Sequence, residues 1–224
     1  LLGAANETWL QGWALIFAAW AGAGGVMLLI MSVSSRVRDI MTVLIIGILI
    51  ANAVSSVVSV LQYFSNETML KTYVIWTMGN IGNLSAIQVK TLAVASLAGL
   101  MLALAEIKPL NAIIMGETFA RSVGVNIKVS RLILFASASI LAGSVTAFCG
   151  PVAFIGVAVP HIARLITGSS DHRILLPASL VTGSITLLLS DIISNLPPSG
   201  SVLPVNTVTS LIGIPVIIWI IIGK

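Results

Sequence analysis

Charge-free apolar stretches recur along the chain at the length of a bilayer crossing, about 20 residues in a helix rising 1.5 Å per residue. The first runs from Leu10 to Val33 and ends at Ser34-Ser35-Arg36-Val37-Arg38-Asp39; the second, Ile40 to Ser65, ends at Asn66-Glu67-Thr68. A third, Thr91 to Ala105 with Gln88 and Val89 ahead of it, is expected to close on Glu106, Lys108 and Pro109, with proline as the stop. No charge interrupts Leu132 to Pro160, and carried on to Ile166 that segment is too long for one crossing. Gly150-Pro151 is therefore read as a turn between a span at about Ser130 to Cys149 and a shorter one at Val152 to Thr167. Ile174 to Ser190 and Val205 to Ile222 complete the set, joined through Leu196-Pro197-Pro198-Ser199-Gly200. The pattern predicts an all-α polytopic transmembrane helix bundle, with seven spans in a single domain over 1–224.

Two apolar segments fall between spans. Residues 68–80 are predicted as a short helix at the outer interface, with Tyr73 and Trp76 at headgroup depth. Residues 110–125 interleave Leu110, Ile113, Ile114 and Phe119 with Asn111, Glu117 and Arg121, broken at Gly116 and Gly124. That reads as two short amphipathic helices burying one face on the bundle and presenting Glu117 and Arg121 to something else.

Composition agrees. Of 224 residues 58% are hydrophobic and 8% charged, with a mean hydropathy of +1.11, too few charges to cover a soluble domain. The net charge of +4 makes no basic face for nucleic acid, since the cations are spread through apolar segments; they act as topology signals. With seven spans, nine of the eleven Lys and Arg share one side and only Lys71 and Lys90 fall on the other, so the start is outside and Lys224 cytoplasmic. Merging the segments around Gly150-Pro151 would send Arg164 and Arg173 outside, which supports the break. One cysteine, Cys149, excludes a disulfide framework and a thiolate metal cluster. The opening Leu1-Leu2, with no initiator Met and no charged n-region, reads as the start of a fragment.

Candidate chemistry is sparse. Asn52, Ser55, Ser56, Ser59 and Gln62 share one face of the second span, suiting either helix packing or the wall of a wetted pathway. Ala18, Ala21, Gly22, Gly24 and Gly25 in the first span suggest close packing. Asp191 at the end of the sixth span reads as a cap or interfacial group, and His161 as a hydrogen-bonded structural residue rather than a metal ligand. No His-Glu-x-x-His and no Gly-x-x-x-x-Gly-Lys-Ser/Thr occurs. No catalytic residue, metal site or cofactor is expected, and any ATP and Mg belong to another chain.

Pro109-Leu110-Asn111, Gly116-Glu117, Ala120-Arg121-Ser122-Val123-Gly124, Gly150-Pro151, Val159-Pro160-His161-Ile162-Ala163-Arg164, Asp171-His172-Arg173, Asp191 and Leu203-Pro204-Val205 form an ordered set. In that order they closely resemble the permease subunits of bacterial ABC importers for iron-siderophores, haem and cobalamin. The resemblance implies ten spans, of which these look like the fourth to the tenth, in a multi-pass inner-membrane protein. It implies a homodimer, a partner ATPase subunit and a periplasmic substrate-binding protein. Leu110, Asn111, Gly116, Glu117, Ala120, Arg121 and Gly124 would then belong to coupling helices docked on the ATPase, and Ser32, Ser34 and Ser35 would lie near the cytoplasmic gate. The helix carrying Asn52 to Gln62 would line the pathway. Members often carry an arginine just after the Asp191 position to dock the binding protein, where this chain has Asn195. The rival class is a secondary transporter or channel without an ATPase, which usually places ionisable groups deep in the membrane; here the sequence offers His161 and Asp191.

The charge split yields a labelling test. Single cysteines at Ser169 and Ser199 are expected to react from the cytoplasm and from outside, respectively; reaction of both from one side would overturn the seven-span topology.

Overall fold

The computed structural model describes residues 9–34, 40–82, 84–196 and 203–222, and the described residues form ten α-helices and no strand. In order these are α1 (Trp9–Ser34), α2 (Ile40–Tyr63), α3 (Glu67–Thr77), α4 (Ala86–Ala105), α5 (Ile107–Ile114), α6 (Glu117–Ser122), α7 (Ile127–Cys149), α8 (Ile155–Thr167), α9 (His172–Ser194) and α10 (Val205–Ile222). By length and composition α1, α2, α4, α7 and α9 can each cross a membrane, while α8 and α10 are shorter apolar helices. At 13 residues α8 rises only about 20 Å.

Apolar helices gain little from one another in lipid, so close packing and interhelical hydrogen bonds must hold them. Helix α7 supplies both. It packs on α4 and α1, with Ile16, Ala95 and Ala147 buried between them. Gly99 of α4 admits Leu141: a Cβ there would stand 2.7 Å from Leu141 Cγ. Ser137 Oγ donates to the Gly99 carbonyl at 2.8 Å. On the other flank Gly143 admits Trp20, whose indole N–H donates to Ser144 Oγ at 2.9 Å. A second group, α8, α9 and α10, packs on itself, with Phe154 against Gly213 and Val159 against Gly183. Helix α5 touches α4, α7 and α9, joining the two groups on the side expected to be cytoplasmic.

At the opposite end a backbone junction joins them. Asn80 N–H donates to the Cys149 carbonyl at 3.0 Å, Asn206 N–H to the Met78 carbonyl at 3.2 Å, and Ala153 N–H to Asn206 Oδ1 at 3.0 Å. Gly150 sits at the centre with φ 78°, and a Cβ there would come within 2.1 Å of the Trp76 carbonyl oxygen. Only glycine meets both demands.

Several expectations are corrected by local geometry. Helix α4 begins at Ala86, ahead of Thr91, because Ser85 and Gln88 form a capping box. Pro109 does not end it: the break is at Glu106, and Pro109 lies in the first turn of α5, where a missing N–H costs nothing. Helix α8 starts at Ile155 rather than Val152, since Asn206 takes the Ala153 N–H and Phe154 holds φ 66°. Asp191 does not close α9, which continues to Ser194. The small residues of α1 are not its packing seam: nothing lies within 4 Å of a Cβ built at Gly22, Gly24 or Gly25, and Ala18 and Ala21 are exposed. Ala19 and Trp20 meet α7 instead, while Ala18 and Gly22 border an apolar cavity of about 910 Å³ shared with α2, α3 and α7. Trp76 is also tied to the bundle, its indole N–H donating to the Thr146 carbonyl of α7 at 3.0 Å.

Replacing Gly150 by Ala is expected to destabilise the protein by roughly 2–4 kcal/mol, through the positive φ and the clash with the Trp76 carbonyl together. Thermal melting in detergent checks this against Gly156→Ala, where nothing lies within 4 Å and a change below about 0.5 kcal/mol is expected.

Candidate functional site

Between α4 and α7 the chain leaves the apolar bundle and returns through α5 and α6, and each turn of that excursion is fixed by a side chain. Glu106 is buried at the α4–α5 break and accepts a hydrogen bond from Ser130 Oγ of α7. Gly116, at φ 115°, reverses the chain into α6, and Gly124, at φ 87°, follows it. Ala120 is fully buried, Leu110 half-buried, and Ile114, Met115 and Phe119 are exposed. Buried and exposed apolar positions thus alternate along an element only 18 residues long between Ile107 and Gly124.

Its polar residues divide into two kinds. Glu117 is half exposed, but it pairs with Arg131 of α7 as well as with Arg121 at 3.9 Å. The sequence spacing exposed only the Arg121 pairing; the Arg131 contact gives Glu117 an internal task, worth up to about 1 kcal/mol for so exposed a pair. Arg121 is 69% exposed and is the freer charge. Asn111 is not presented outward at all. Its Nδ2 donates to Asp171 Oδ1 at 2.6 Å, while its Oδ1 accepts the His172 backbone N–H at 2.9 Å. Asp171 also caps α9 by accepting the Arg173 N–H at 2.8 Å. That backbone bond, then the Asn111 amide, hold the Asp171 carboxyl below its ordinary range. Glu106 was expected only as the end of the third span, and Ser130 and Arg131 were given no role; nothing in the spacing pairs Ser130 with Glu106 or Arg131 with Glu117.

Helix α2 carries the polar row. Asn52, Ser55, Ser56 and Ser59 are exposed and Gln62 half-buried, and Ser56 and Ser59 satisfy their hydroxyls on the Asn52 and Ser55 carbonyls at 2.9 Å. Among the described residues only α1 packs substantially against α2. Of the expected gate residues, Ser32 donates to the Leu28 carbonyl at 2.8 Å, Ser34 is the last residue of α1, and Ser35 lies outside the described residues.

The remaining motif residues occupy both ends. Gly150 and Pro151 make the α7–α8 junction, Pro160 lies inside α8, and Arg164 is in its last turn, where a cation suits the helix dipole. His161 is exposed with no hydrogen-bond partner among the described residues, so the structural hydrogen bond expected of it is not formed. Asp191 is half-buried in a cleft of about 280 Å³ with Asn80, Asn195 and Pro204. No cluster of three His, Cys, Asp or Glu able to hold a metal is found among the described residues.

These features define a helical, multi-pass membrane protein whose short helices α5 and α6 are fastened to both of its helix groups. The chain belongs to the FecCD transport family, which matches residues 1–223. It is 34% identical over 212 residues to the vitamin B12 import system permease proteins BtuC of Salmonella typhi and Salmonella typhimurium. The match covers 95% of this chain and 64% of each relative, so the chain spans a little under two thirds of their length. Its fold is similar, at a TM-score of 0.77 and 26% identity, to a solved metal-chelate type ABC transporter in an inward-facing conformation, covering 95% of this chain and 71% of that one.

Cysteines at Asn52, Ser56 and Ser59 in the full-length protein in membranes are expected to react with a small water-soluble thiol reagent, and cysteines at Ile50 and Val57 to stay unreactive, because Ile50 is half-buried in an apolar cleft against α1 and a thiol in apolar surroundings does not ionise. Equal protection of all five would assign the row to helix packing.

Proposed function

We propose that the protein is the membrane-spanning permease subunit of an ATP-driven importer that moves an iron chelate, siderophore or haem, or cobalamin across the bacterial inner membrane. It works as a homodimer with two ATPase subunits, which bind ATP and Mg, and takes its cargo from a periplasmic substrate-binding protein. The observation carrying this reading is the α5–α6 element: a short, partly apolar surface outside the spans, with Arg121 exposed on it, Glu117 tied back to α7 and Asn111 to the start of α9. Such an element receives force from a partner and hands it to the bundle. The relatives named for vitamin B12 import support the chemistry of the cargo.

Mechanistically, closure of the ATPase subunits displaces α5–α6, and the two helix groups rearrange around a central path, giving alternating access. The row Asn52 to Gln62 supplies hydrogen-bonding groups to that path without a fixed charge, suited to releasing a bulky chelate. A secondary transporter is the weaker reading. Besides the exposed His161 and the half-buried Asp191, the described residues add one buried carboxyl group, Glu106, at a helix end and bonded to Ser130, and these make no relay through the membrane.

Arg121→Glu tests the docking surface more cleanly than a change at Glu117, which would also break the Arg131 pair. Reconstituted with its ATPase and binding protein, the variant is expected to insert normally and to lose at least about tenfold in both transport and stimulated ATP hydrolysis, equivalent to about 1.4 kcal/mol of interface energy. Transport at the unaltered level with normal ATPase association would refute this surface.

A further inference from the structure

Every hydrogen bond between α5 and α9 among the described residues is made by Asn111. Both ends of its amide are engaged: Nδ2 on Asp171 Oδ1 at 2.6 Å, and Oδ1 on the His172 N–H at 2.9 Å and within 2.8 Å of His172 Nδ1. Because the Asp171 carboxylate can only accept, the amide orientation is fixed, and the His172 ring carries its proton on Nδ1. Capping of α9 does not require Asn111. Asp171 already accepts the Arg173 N–H through its side chain and the Leu175 N–H through its carbonyl, at 2.8 Å each.

Helix α9 runs from this contact about 33 Å to the opposite end. There Ser194 Oγ donates to the Leu203 carbonyl and Leu203 N–H donates to the Ser194 carbonyl at 2.9 Å, beside the junction built on Asn206. A purely apolar contact between α5 and α9 could slide, whereas a carboxamide held at both ends cannot move without carrying its partner. We infer that Asn111 is a positioning residue, a latch whose catch is Asp171 and His172, that carries displacement of α5 into α9 and so into the α8–α9–α10 group. What moves α5 rests on the import reading; the latch does not.

The geometry allows a donor–acceptor exchange test. Asn111→Asp sets two carboxylates against each other where the 2.6 Å bond stood. Asp171→Asn alone keeps every bond, since a carboxamide oxygen at 171 still accepts from Asn111 and Arg173. Together, Asn111→Asp and Asp171→Asn remove that repulsion and re-form the α5–α9 bond with donor and acceptor reversed; the cost is the Arg173 N–H bond, since the atom at 171 that donates to the carboxylate at 111 no longer accepts, while the Leu175 N–H still caps α9 on the backbone carbonyl of 171.

In the full-length permease, hydrogen exchange of residues 107–114 without ATPase is expected to rise at least about tenfold in Asn111→Asp and to return to within about twofold in the double variant. In the assembled importer, transport per ATP hydrolysed should fall in the single variant while the ATPase subunit still co-purifies, and recover in the double variant. Unchanged exchange in Asn111→Asp, or a loss that Asp171→Asn does not rescue, would overturn the latch. If Asn111→Asp fails to insert, Asn111→Ala serves: raised exchange confined to 107–114 supports the latch and unchanged exchange overturns it. Rescued exchange with no ATPase association even in the unaltered protein would strike down the import reading and leave the latch standing.

Discussion

Hydrocarbon offers no hydrogen bonds, so each backbone polar group within it must find a partner inside the protein. The architecture follows from that constraint. Continuous helices meet it automatically, and the points where helices break are where named side chains or tight backbone contacts appear. At the α4–α5 break the Glu106 N–H turns onto the Ala103 carbonyl and its own carbonyl takes the Leu110 N–H; Ser85 and Gln88 serve the start of α4, and Asn206 with Gly150 the α7–α8 junction. Among the described residues no buried side-chain nitrogen or oxygen lacks a partner.

The same constraint explains why packing concentrates on α7. With no hydrophobic drive between helices in lipid, contact is strong where backbones come close, and Gly99 and Gly143 permit this on its two flanks. Where small residues do not meet a partner, as at Ala18 and Gly22, they leave room: the 910 Å³ cavity lies between α1 and α2, which contributes Val54 to it. The two separately packed groups are joined through α5 at one end and by a backbone junction at the other.

Function therefore sits at the joins. Glu117 binds α6 to α7 and Asn111 binds α5 to α9, so one short element holds both groups while leaving Arg121 and the apolar side chains of Ile114, Met115 and Phe119 to the outside. Side chains that look alike in sequence, all polar and all in the same amphipathic stretch, have different assignments: Arg121 stands mostly in the open, whereas Glu117, half exposed, and Asn111 are each engaged by another helix.

The apolar pattern, with the glycines, by itself determined the class of protein, the approximate extent of the helices and the breaks at Gly116, Gly124 and Gly150, because those depend on local backbone preference and on the length of chain that hydrocarbon demands. It also marked 110–125 as a separate element. It could not show that Pro109 begins a helix rather than ending one, which turns on Glu106 finding Ser130 24 residues away. Nor could it pair Asn111 with Asp171, 60 residues apart, or Glu117 with Arg131. Those choices belong to the tertiary structure: spacing records which face of its own helix a side chain occupies, whereas the partner across the gap is decided only when two helices are brought together.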